Sequence, residues 1–75
     1  SQYVFPAPAH DFVILRNISG SKYVEIIDIH GSKYSKYETR GSDEVMIPLE
    51  QLKRGIYFAR IIYIQRTIVI RIIKE

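Results

Sequence analysis

The sequence predicts an all-β domain, an antiparallel sandwich of about six short strands in Greek-key order, or else a small barrel. Three observations carry this. Isoleucine, valine and tyrosine dominate the apolar residues while leucine and alanine are scarce, and β-branched and aromatic side chains suit a pleated, half-buried surface. Short apolar runs alternate with turn residues at close spacing. The isoleucine-rich stretch Ile56–Ile73 has β-branched residues at every angle and no apolar stripe at helical period, which argues against a helix.

The elements follow in order. Residues 1–10 read as a linker or lead-in, with the domain proper over 11–75. Phe5-Pro6-Ala7-Pro8 predicts an extended, polyproline-like lead-in, because proline fixes φ and lacks a donor. Tyr3–Phe5 is a candidate extra strand. Asp11–Arg16 predicts the first full strand, and Asn17–Ser21 a loop. Lys22–Ile29 predicts the next strand, with Val24 and Ile26 on one face and Tyr23, Ile27 and Ile29 on the other. Gly31 is free to take positive φ in the turn after it, and Lys33–Tyr37 returns as a hairpin partner. Glu44–Pro48 is a short strand that Pro48 confines to an edge or ends. Leu49 and Leu52 are three apart, so a single helical or 3₁₀ turn would direct both to the core. Gly55–Tyr63 is the strongest strand, with apolar residues on both faces. Ile64–Arg66 must turn without Gly, Asn or Pro, and Thr67–Ile73 closes the chain.

Composition narrows the function. Net charge is +3, but bases crowd the end: Lys53, Arg54, Arg60, Arg66, Arg71 and Lys74 stand against Glu75 alone. Such an end meets an anionic partner or blunts a sheet edge. Cysteine is absent, which excludes disulfides and thiolate metal sites. No apolar run is long enough for a membrane helix, and no signal peptide is visible. The chain starts at Ser1 without methionine, the expectation for a fragment or processed product.

Catalytic constellations are missing. His10-Asp11 and Asp28 with His30 are the imidazole–carboxylate neighbours, but their spacing does not build a metal site. Ser19, Ser21 and Ser32 lack a strand–elbow–helix context. Asp43 and Glu44 are adjacent, so a strand would point them to opposite faces. Arg60, Arg66 and Arg71 interleave with Tyr57, Phe58 and Tyr63, the ingredients of a nucleic-acid stacking platform, but the net charge is small and acids occupy the other half. The sequence thus predicts no enzyme, no cofactor, no metal and no nucleic-acid partner. Asn17-Ile18-Ser19 matches a glycosylation acceptor.

The order of features resembles one family. A proline-spaced opening, Pro6 and Pro8, leads into the apolar Phe12-Val13. Val24-Glu25-Ile26-Ile27-Asp28 leads to the turn at Gly31. Leu49-Glu50-Gln51-Leu52 then precedes Gly55-Ile56-Tyr57-Phe58-Ala59-Arg60-Ile61, and an apolar strand closes on Lys74-Glu75. This is similar to the C-terminal sorting domain (type A) of the Bacteroidetes type IX (Por) secretion system. Ala7, Ile27 and Ala59 depart from the usual residues, and the last hairpin lacks the usual Gly or Asn turn.

The resemblance implies a seven-stranded immunoglobulin-like sandwich. It also implies a covalently attached upstream cargo domain, translocon and sortase proteins as partners, and a path through the periplasm to the outer membrane, cell surface or medium. A surface sortase removes such a domain from many members and leaves it on others.

With no chemistry visible, recognition must lie in shape and surface. The candidate recognition residues are Arg60, Arg71, Ile73 and Lys74, beside an apolar outer face of Phe58, Ile62, Val69 and Ile73. The candidate structural residues are Pro6, Pro8, Gly31, Leu52, Gly55 and Tyr57, with Gly55 in a conformation closed to other residues and the Tyr57 hydroxyl bonded. The alternative function is an accessory module binding carbohydrate or protein at the cell surface.

Overall fold

The computed structural model describes all residues, Ser1–Glu75. It contains seven strands and no helix: β1 Tyr3–Phe5, β2 Phe12–Arg16, β3 Tyr23–Asp28, β4 Lys33–Glu38, β5 Glu44–Pro48, β6 Gly55–Ile62 and β7 Thr67–Lys74. They form two sheets, ordered β1-β2-β5 and β4-β3-β6-β7, and every strand pair is antiparallel. This is the seven-stranded Greek-key sandwich of immunoglobulin-like domains, with the fourth strand beside the third.

Period-two alternation sets the core. β2 turns Val13 and Leu15 inward, β3 Val24 and Ile26, and β6 Tyr57, Ala59 and Ile61. Ile47 and Leu49 from around the end of β5, Ile72 from β7, and Ala9 and Ile18 from the loops complete the core. Each fully buried Ile or Leu contributes about 1.5–3 kcal/mol relative to exposure. Two buried hydroxyls stay satisfied: Ser21 Oγ donates to Thr39 Oγ1 at 2.8 Å, which donates to the Ser21 carbonyl at 2.7 Å. They tie the β2–β3 loop to the end of β4.

Tyr57 stands near the start of β6 and is 6% exposed. Its hydroxyl donates to the Lys53 carbonyl at 2.7 Å. A tyrosine bonded back across the corner between the fifth and sixth strands is a hallmark of this architecture. Gly55 opens the strand at φ 154°, a region essentially restricted to glycine.

The lead-in differs from expectation. It is bent rather than polyproline-like, and the Phe5–Pro6 and Ala7–Pro8 peptides are both cis. The bend lets one segment serve both sheets. β1 pairs with β2, while Ala9 bridges Lys74 in parallel and is 1% exposed. The Ala9 amide donates to the Ile73 carbonyl, and the Glu75 amide to the Ala9 carbonyl, each at 2.8 Å.

Two turns also needed the structure. Leu49 and Leu52 span a single turn, closed by Leu52 N to Leu49 O at 3.0 Å, without any helix. Leu49 is buried and Leu52 half-buried. The β6–β7 hairpin is closed by Tyr63 N to Arg66 O at 2.8 Å, around Ile64 and Gln65. Neither has positive φ, so this two-residue loop needs no glycine.

Candidate functional site

The outer face of the four-stranded sheet is the candidate site. On β6 the inward Tyr57, Ala59 and Ile61 leave Ile56, Phe58, Arg60 and Ile62 pointing out. On β7, Ile68, Ile70 and Ile72 pack inward, leaving Thr67, Val69, Arg71 and Ile73 outside. The registers align these into rows. Ile27, Phe58 and Arg71 lie side by side, Glu25, Arg60 and Val69 form the next row, and Ile56 neighbours Ile73.

Glu25 organises the centre of this face. Its side chain is 6% exposed. Oε1 accepts from Arg60 Nη2 at 2.7 Å and Nε at 3.1 Å, and Oε2 lies 2.8 Å from Lys33 Nζ. The hydrogen bond from Lys33 is the largest influence on the Glu25 carboxyl; with the Arg60 contacts it outweighs burial and holds the pKa below the usual value. Lys36 Nζ sits 4.2 Å from the Tyr23 ring centroid, a cation–π placement.

Arg71 has no hydrogen-bond or ion-pair partner and is exposed. Beside it are Val69, 55% exposed, and Ile73, 42% exposed. Ile29 and Ile56 extend the exposed apolar surface at the same end. An exposed apolar cluster beside unpaired positive charge has the makeup of an interaction surface.

The structure brings Arg60, Arg71 and Ile73 to one face and separates Lys74 from them. Lys74 follows the inward parity of Ile72, and its Nζ donates to the His10 carbonyl. It therefore ties the lead-in to the end of β7. Among the structural residues, Pro6 and Pro8 form the bend, and Gly31 takes φ 84° in the β3–β4 turn. The stacking-platform arrangement does not form, because Tyr57 is in the core while Phe58 points out. Arg66 instead lies over Tyr63, 4.7 Å from its centroid.

His10 and His30 are both exposed, and the Asp28 carboxylate serves the turn after β3. Asp28 Oδ1 accepts from the His30 and Ser32 amides at 2.8 and 3.0 Å, and Oδ2 from Tyr34 at 2.9 Å. Burial raises the Asp28 pKa, but the bonds from Tyr34, Ser32 and His30 together lower it below the usual value. Ser19 Oγ donates to Asp43 at 2.8 Å and Asn17 Nδ2 to the Ser1 carbonyl at 3.0 Å, so both polar ends of the acceptor motif are bonded locally.

Sequence reasoning missed Glu25, Ile29 and Ile56 as parts of this face. The available signal was a lone acid inside the apolar run Val24–Ile27.

A family model described as "Secretion system C-terminal sorting domain" matches residues 3–75. No curated protein matches the chain.

Proposed function

Because the chain belongs to the family of secretion system C-terminal sorting domains, the tails that mark type IX cargo, we propose that the translocon reads it through the outer face of β6 and β7. Membership implies export across the outer membrane to the cell surface or medium. In this reading the domain follows an upstream cargo covalently, passes through the periplasm, and meets the translocon and then a surface sortase. Sorting domains are in general non-catalytic, and recognition here rests on surface alone.

The observation that carries the reading is Arg71, left unpaired between exposed Val69 and Ile73. Arg60 and Lys33, its cationic neighbours, are held by Glu25. Arg71 is thus free to meet an acidic group, with apolar contacts on either side. Residues 1–75 fused behind a signal peptide and a fluorescent protein should reach the surface or medium of a type IX-competent bacterium. The same fusion should stay periplasmic in a strain lacking the translocon. Arg71→Glu should reduce export without unfolding the domain. Equal export from both strains sinks the reading.

A second reading, a binding module for carbohydrate at the cell surface, is favoured by one feature. A cleft of about 200 Å³ lies between β4 and the loop after β5, lined by Tyr34, Tyr37 and Leu52 with Ser35, Glu50 and Gln51. Titration of the isolated domain with surface glycans discriminates: saturable binding lost in Tyr34→Ala supports a lectin-like module.

A further inference from the structure

The sandwich has four edge strands, β1, β5, β4 and β7, and three of them are blunted. β1 is 3 residues long. β5 ends on Pro48, which has no N–H to offer. β4 carries Lys33, Lys36 and Glu38 and an irregularity in its pairing opposite Ile26 and Ile27. Short length, proline, charge and bulges are the usual protections of an exposed edge. β7 is different. It runs regularly for 8 residues, Thr67–Lys74, paired with β6 throughout and without proline or a break in register.

The open groups on β7 can be named. The Tyr63–Arg66 hydrogen bond sets the hairpin, so Ile68, Ile70 and Ile72 direct their backbone groups to β6. Thr67, Val69, Arg71 and Ile73 direct theirs outward. The Ile73 carbonyl and the Glu75 amide are already taken by Ala9. Outside the ladders no hydrogen bond reaches the main chain of Thr67, Val69 or Arg71. The edge therefore already accepts one bridging residue, Ala9, at one end, and it makes no further main-chain bonds outward along the rest of the strand.

We propose that Thr67–Arg71 of β7 receives an extended strand from the secretion machinery, continuing the ladder that Ala9 begins. This deepens the sorting reading and rests on it. Main-chain bonds to Val69 and Arg71 supply affinity, and alternate side chains supply selectivity. The incoming strand presents an acid opposite Arg71, because opposite charges are favoured across a pair, and apolar residues beside Val69 and Ile73.

Proline at position 69 separates the edge from the rest of the fold. The Val69 N–H points away from β6, so Val69→Pro removes an outward donor and leaves the β6 ladder bonds intact. The fluorescent fusion of residues 1–75 is compared as wild type, Val69→Pro and Val69→Thr, with folding checked by thermal melting. Export of wild type and Val69→Thr, with about tenfold less for a folded Val69→Pro, is the expected result, on the scale of one lost hydrogen bond. Wild-type export together with full export of folded Val69→Pro overturns the strand pairing and leaves the sorting reading standing. Retention of the wild type overturns both.

If Val69→Pro does not fold, amide exchange of the wild type decides. Outer-membrane vesicles carrying the translocon should slow the Val69 and Arg71 amides, and vesicles lacking it should not. Equal exchange in both overturns the proposal. A concentration-dependent dimer that alone protects these amides also overturns it, since the occupant is then a second copy.

Discussion

Glu25 and Arg60 face each other across the β3–β6 pair, with Oε1 and Nη2 2.7 Å apart. The acid is nearly enclosed, at 6% side-chain exposure, while Arg60 keeps 38%. The carboxylate can stay ionised there because Lys33 bonds its second oxygen. A charge buried without such partners would be expensive. The trio spans β4, β3 and β6, so it braces the sheet across three strands.

Glu25→Gln should cost about 1.5–3 kcal/mol, the range for a lost hydrogen bond to a charged group. Urea unfolding measures it. A loss well under about 1 kcal/mol would place the pair with ordinary exposed salt bridges, which contribute that little.

Acid should weaken the domain through two carboxylates. Glu25 and Asp28 both have pKa values below their usual ones in the folded chain. Unfolding returns them to the ordinary carboxylate range, roughly pH 4 to 4.5. Their stabilisation is therefore complete above that range and is lost as pH falls through the lower folded values. Melting temperature should be level above about pH 5.5 and drop below about pH 4.5. In Glu25→Gln the drop should be shallower.

Tyr57→Phe removes only the hydroxyl bonded to the Lys53 carbonyl. The expected cost is about 1 kcal/mol, read as a lower urea midpoint with unchanged slope. Tyr57→Ala also empties part of the core and should cost about 3–5 kcal/mol. Equal costs for the two would show that ring packing is not what the residue supplies.

Gly55→Ala tests backbone conformation apart from space. An added Cβ would meet nothing closer than the Tyr57 ring at 4.0 Å, but φ there is 154°. The substitution should therefore cost about 1–3 kcal/mol through strain alone. No loss of stability would mean that the start of β6 relaxes into an ordinary extended conformation.

Much of this fold was legible locally. Period-two alternation marked β2 to β7, and Gly31 and Gly55 marked two of the places where φ turns positive. Tyr57 could be read as a buried ring with a bonded hydroxyl. What remained hidden depends on contacts distant in sequence. Glu25 looked like an interruption in an apolar strand because its partners, Lys33 and Arg60, lie on other strands. Lys74 looked like a companion of Arg71, although strand parity puts them on opposite faces; its partner, His10, lies near the other end of the chain. In the lead-in, proline fixes φ but not the isomer of each X–Pro peptide, so residue types alone point to an extended segment.

The pairing of Ala9 with the last strand also constrains the order in which the domain can assemble. Lys74 and His10 are 64 positions apart, so this closure is among the least local contacts the chain makes, and such contacts carry a large loop-closure cost. A chain emerging from the ribosome, or threading through a pore from its N-terminal end, cannot complete the closure until its last residues are through. Pairing of the lead-in with β7 therefore waits on residues at the far end of the domain, so a completed fold reports that β7 has arrived.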